Sequence, residues 1–186
     1  MEELVKGVLD KISSYNIFNN LFPGIVFCYV VDQTTRFTLI REGWENLIIY
    51  YFVGIVISRI GSLVVEKWLK TLKIRNRETK MKEAYLKFAP YEQYLEASKN
   101  DPLIATLNET NNVYRAIISA FMLIIVVKIY DWLFYDYVEQ LGATAKNLLC
   151  IASMFFIIFI FIHSYKKQTE YIRKRVETNS NSSKIK

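Results

Sequence analysis

The sequence has few of the residues from which metal, disulfide and catalytic sites are built. It holds two cysteines and one histidine in 186 residues. Cys28 and Cys150 both lie in apolar blocks, where a cysteine acts as a small hydrophobe. Two cysteines without paired spacing support neither a disulfide framework nor a zinc site. His163 has no cysteine or carboxylate at ligand spacing, so no metal site is expected. A phosphate-binding glycine loop, a dinucleotide fingerprint, a nucleophile elbow, an HExxH run and a CxxC pair are all missing. The acids of the middle region are interleaved with bases, as on a solvated helix face. No catalytic residue, no cofactor and no enzyme activity are expected. A cleavable signal is lacking as well. Met1 to Asp10 mixes acids with bases, and the first apolar core runs into Asp32 and Gln33 rather than small residues.

What the sequence does have is segregation. Apolar residues make up 52% of the chain and charged residues 23%, averages that look globular. The apolar residues nevertheless fall into four blocks, at 17–31, 47–65, 116–127 and 148–162, with the charges between them. Segregation of this kind marks membrane spans. The expected fold is all-α: an integral membrane protein with four transmembrane helices and a helical cytoplasmic loop. Five regions follow. Residues 1–16 form an amphipathic segment and 17–65 the first two spans. Residues 66–113 form the loop, 114–163 the last two spans, and 164–186 a basic tail. The amphipathic segment either lies on the inner membrane surface or packs on the loop.

The net charge of +6 would suit nucleic acid, but the Lys and Arg residues flank apolar spans and no binding motif accompanies them. Their distribution instead sets orientation, because cytoplasmic loops are enriched in Lys and Arg. Nine lie between Glu66 and Asn112 and seven follow Ile162. Only Arg36 and Arg41 lie between the first two spans, and only Lys146 before the fourth. Both termini are therefore expected in the cytoplasm, with the protein in a bacterial inner membrane.

The spans differ in quality. The first covers about 22 Å against a hydrocarbon core of about 30 Å, so it should extend at both ends. It carries Asn19, Asn20 and Pro23-Gly24, and the proline predicts a bend. The second is bracketed by Trp44 and Trp68, about 36 Å apart on a continuous helix, as headgroup anchors should be. In the third, Lys128 is expected to snorkel. Tyr114 marks one end, and Tyr130, Trp132, Tyr135 and Tyr137 the other. In the loop, Glu66 with Lys70 and Glu78 with Lys82 stand at helical i,i+4 spacing. The loop is expected to continue the second helix, return around 77–88, and form a short helix from Leu103. Pro90 and Asp101-Pro102 are the breaks. The Ser- and Asn-rich end, 178–186, is expected to be disordered.

Four groups of residues are candidates for function. Arg59 is a charge inside a span, which costs about 2.5–3.5 kcal/mol on insertion scales. It either snorkels to phosphates, contacts another helix or subunit, or lines a pore. A carboxylate partner would be Glu66 or Glu109 of a neighbouring subunit. Asn111, Asn112, Tyr114 and Arg115 stand at the inner mouth of the third span, as a headgroup site or a partner surface. Asn19, Asn20 and Pro23 form either an entry turn or a gate. Gly54, Ser58 and Gly61 form a small-residue face for close helix packing, expected to mediate self-association.

Two stretches, 13–24 (SSYNIFNNLFPG) and Asp101-Pro102 to Asn111-Asn112-Val113-Tyr114-Arg115, resemble segments of small bacterial multi-span membrane proteins. Some of these are encoded in phage-defence loci, and the nearest named type is the transmembrane subunit of the Kiwa defence system. The resemblance implies a bacterial inner-membrane protein working with a cytosolic partner. The leading expectation is a non-enzymatic membrane component that forms a homo-oligomer, engages that partner through its basic loop and tail, and senses or acts in anti-phage defence. The alternative is an oligomeric ion-conducting or membrane-disrupting pore. A lipid enzyme ranks last, for want of an acid/base or nucleophile set.

Overall fold

The computed structural model describes residues 17–40, 43, 45–75 and 82–184. The amphipathic segment 1–16 and Trp44 lie outside the described residues. Helices dominate. A π-helical turn, Ile17–Leu21, leads into α1, Phe22–Thr34. Next come α2, Glu45–Ile60, a second π turn, Gly61–Val65, and α3, Glu66–Thr71, as one continuous helix. A small antiparallel hairpin follows, β1 (Lys73–Arg75) against β2 (Lys82–Ala84), with Ile74 opposite Glu83. Helix α4 spans Tyr91–Asn100, α5 Pro102–Gln140 and α6 Gly142–Lys184.

Three helices are long and apolar enough to cross a membrane: Glu45–Thr71, Pro102–Gln140 and Gly142–Thr178. The chain is thus a helical, membrane-associated protein. The first expected span is the shorter helix from Ile17 to Thr34. Its far end extends as the sequence predicts, with the Thr34 and Thr35 hydroxyls donating to the Val30 and Val31 carbonyls at 2.7 Å. Pro23 cannot donate to a carbonyl one turn back, and the π turn lies directly ahead of it, at the predicted irregularity.

The loop departs from the expected all-helical form. Around 77–88 the described part is strand β2, closed on the preceding helix by the Tyr85 N–H donating to the Leu72 carbonyl at 2.9 Å. Ion pairs at i,i+4 contribute only a few tenths of a kcal/mol, too little to hold a helix against a paired ladder. The predicted pair of Lys70 with Glu66 forms at 2.7 Å where α3 continues the long helix, while Glu78 of the other predicted pair lies outside the described residues. The break at Asp101-Pro102 is real. Asp101 caps α5 by accepting from the Leu103 N–H at 2.9 Å, with Pro102 in the first turn. The helix it starts is 39 residues long and runs without interruption into the third span. At the other extreme, α6 continues to Lys184, through the stretch whose composition predicts disorder. No Gly or Pro follows Gly142, so no strong helix breaker intervenes.

The core lies where α1, α2 and α5 meet. Cys28 and Val31 of α1, Ile57 of α2, and Ala116 and Ala120 of α5 are almost fully buried there. Helix α6 joins the others mainly around Ile160, Ser164 and Lys167.

Candidate functional site

The second helix carries small and polar residues at successive turns, and each meets another helix. Gly54 comes first. A Cβ built on it would fall 1.7 Å from the Asn20 carbonyl oxygen, so only glycine permits this approach. The contact is reciprocal, since a Cβ on Gly24 would fall 1.8 Å from the Tyr50 carbonyl oxygen. One turn on, the Ser58 hydroxyl accepts from Asn19 Nδ2 at 3.2 Å, and the same amide group donates to Asn20 Oδ1 at 3.3 Å. Asn19, Asn20 and Ser58 are all buried. Gly61 then packs on α5, with the Arg115 carbonyl 3.2 Å and Ser119 Cβ 3.4 Å from where its Cβ would be. Ser62 follows, accepting from Lys167 Nζ of α6 at 2.9 Å through both its carbonyl and its hydroxyl.

The row ends on Glu66. Its carboxylate accepts from Lys70 Nζ at 2.7 Å, Arg115 Nη1 at 2.9 Å and Lys167 Nζ at 2.9 Å. Three helices are pinned at one point, on a side chain only 15% exposed. Three cations stand against one carboxylate. Beside them the rings of Tyr171 and Tyr91 stack with centroids 5.3 Å apart, and Lys167 Nζ lies 5.8 Å from the Tyr171 ring. Four buried polar atoms along this row have no hydrogen-bond partner among the described residues: Asn19 Oδ1, Arg115 Nε, Ser119 Oγ and Ser164 Oγ. Among the described residues no three His, Cys, Asp or Glu side chains gather as a metal ion would require.

A second polar group closes the opposite end of the bundle. Arg36 Nε pairs with Asp131 at 3.1 Å, Nη1 pairs with Asp136, and Nη2 donates to the Asp131 carbonyl at 2.5 Å. Desolvation acts against the Arg36 charge, but the bonds to Asp131 and Asp136 prevail and hold its pKa above the ordinary value. Lys128 reaches Thr34 of the first helix and donates to its carbonyl at 2.6 Å. Phe37 packs between Tyr130 and Tyr135. Along α5, Arg115 and Asp131 are about 24 Å apart, some 6 Å less than a hydrocarbon core of about 30 Å.

The structure brings six of the ten predicted residues together: Asn19, Asn20, Gly54, Ser58, Gly61 and Arg115. It also changes the reading of two groups. The Gly54–Ser58–Gly61 face, expected to pack on a second copy, meets the chain's own π turn Ile17–Leu21 and α5. Glu66, expected as an intersubunit partner for Arg59, is already engaged by Lys70, Arg115 and Lys167. Arg59 itself is half-buried and makes no ion pair among the described residues. Tyr114 and Asn111 are exposed, and Asn112 is half-buried. Sequence reasoning missed Ser62, Ser119 and Lys167, and gave Glu66 other partners, Lys70 along its own helix and Arg59 of a neighbouring subunit. The available signal was positional: Glu66, Arg115 and Lys167 all stand just beyond apolar blocks, at ends that the charge distribution assigns to one side.

No protein-family model matches the chain, and no curated protein and no solved structure is similar to it.

Proposed function

We propose that this chain is a non-enzymatic component of a bacterial inner membrane that crosses it four times, with both termini in the cytoplasm. In this reading it assembles with itself and engages a cytosolic partner, as sensor or effector in defence against phage. The observation that carries the reading is the length of the last two helices. At 39 and 43 residues, α5 and α6 measure about 58 and 64 Å, roughly twice the hydrocarbon thickness. Their surplus lies on the Glu66 side, where Tyr91 of α4 stacks on Tyr171 of α6. A folded helical element outside the membrane, basic and joined rigidly to the spans, suits relay to a soluble protein.

The two polar ends support the four-span reading. The helix Ile17–Thr34 reaches the Arg36 group at one end. At its other end Asn19 meets Ser58, about 12 Å along the helix from the Glu66 level. A second reading, the oligomeric pore, draws on the unpartnered buried atoms of Asn19, Ser119 and Ser164. Expression in a phage-sensitive bacterium, alone and with the neighbouring genes, separates the two. Protection that requires a neighbour is expected. Depolarisation by the chain alone would favour the pore, and no protection in any combination would remove the defence role.

A further inference from the structure

The Glu66 cluster is unbalanced. Lys70, Arg115 and Lys167 all lie within ion-pair distance of a single carboxylate. The Arg115 Nε–H is buried and donates to nothing among the described residues. The group is not sealed: Lys70 is 46% exposed, so it opens to the surroundings on one side. Its depth is marked by two aromatic residues with much of their surface free, Trp68 on the Glu66 helix and Tyr114 next to Arg115. Amphipathic rings of this kind settle among lipid headgroups. A cluster with a surplus of positive charge, between helices and at headgroup depth, has the chemistry to take a phosphate through charge-assisted hydrogen bonds.

We propose that Lys70, Arg115 and Lys167 form a phosphate-binding site, and that Glu66 orders the three cations while the phosphate neutralises the remaining charge. The phosphodiester of an anionic phospholipid is the ligand that the depth favours. A soluble phosphate compound shares the same chemistry. The proposal rests on the membrane-spanning reading, but it does not depend on which face of the membrane the cluster occupies. A failure of the site is therefore distinct from a failure of the topology.

The test uses the full chain in nanodiscs of phosphatidylcholine, to which phosphatidylglycerol is added, with bound lipid counted by native mass spectrometry. A parallel series adds inorganic phosphate without anionic lipid. The expected result is retained phosphatidylglycerol, weakened about tenfold or more by Lys70→Gln with Lys167→Gln. Lys146→Gln, which removes an exposed pair with Glu139 far along the chain, should change nothing. Glu66→Gln should tighten binding, since the competing carboxylate is gone. Should that variant not fold, the lysine pair decides. Inorganic phosphate bound with the same dependence on the lysines, without preference between the lipids, would keep the site and assign its phosphate to a soluble source. Equal retention of phosphatidylglycerol in the parent and the double lysine variant, or binding of neither probe, would overturn the proposal.

Discussion

Gly54 and Asn20 meet backbone to backbone, so closely that a Cβ on Gly54 would overlap the Asn20 carbonyl oxygen at 1.7 Å. The contact lies inside one chain, between the second helix and the turn that leads into α1. Close approach of this kind lets helices pack where no hydrophobic effect drives them together in lipid. Gly54→Leu should therefore damage the fold of the single chain rather than separate copies. The expected cost exceeds about 3 kcal/mol, because backbone and not a flexible side chain must move. Thermal aggregation in detergent should show a large loss of stability. A stable monomer produced from an oligomeric parent would instead restore this face to an intersubunit role.

Lys167 donates to the Ser62 carbonyl, the Ser62 hydroxyl and Glu66, all at 2.9 Å. It is the main polar tie between α6 and the second helix. Lys167→Met keeps the stem but leaves these acceptors short of a donor. The cost should be about 1–3 kcal/mol, discounted because the side chain is 26% exposed. Hydrogen exchange should rise along α6 near Ser164 while α1 and the Gly54 contact keep their protection. Unchanged exchange along α6 would mean that apolar contacts around Ile160 hold this helix unaided.

Arg59 has no carboxylate to hold among the described residues, so its charge needs only to reach polar surroundings. A lysine snorkels as well as an arginine. Arg59→Lys should insert, accumulate and act like the parent, whereas Arg59→Glu should not. Loss of activity in Arg59→Lys at normal membrane levels would point to a planar, two-pronged contact that an ammonium cannot make.

How much of this was legible in the sequence depends on which interaction decides each part. The long apolar blocks set the spans at 47–65, 116–127 and 148–162, because the cost of burying charge in lipid dominates there. The break at Asp101-Pro102 was legible because it is settled by one residue and its neighbours. The hairpin at Lys73–Arg75 and Lys82–Ala84 was not, since it turns on a ladder that pairs Lys73 with Ala84, Ile74 with Glu83 and Arg75 with Lys82, across a loop rather than between neighbours. The small-residue face on the second helix was legible, but its occupant was not. A glycine states that something approaches closely and does not state what. Glu66 was legible as an ion-pairing acid and its pair with Lys70 could be read from spacing, but its other partners could not, because Arg115 and Lys167 arrive from helices 49 and 101 residues away.

In the proposed arrangement, four crossings place the Glu66 end and the long helical extensions in the cytoplasm. Cysteine labelling of intact cells tests this most directly, in a background with Cys28→Ala and Cys150→Ser. Single cysteines replace Thr38 and Thr144, both exposed at the Arg36 end, and Ser98 and Ser180 on the opposite side. A membrane-impermeant maleimide should modify positions 38 and 144 in intact cells, and positions 98 and 180 only after permeabilisation. Modification of position 98 or 180 in intact cells would contradict the four-span, both-ends-inside arrangement.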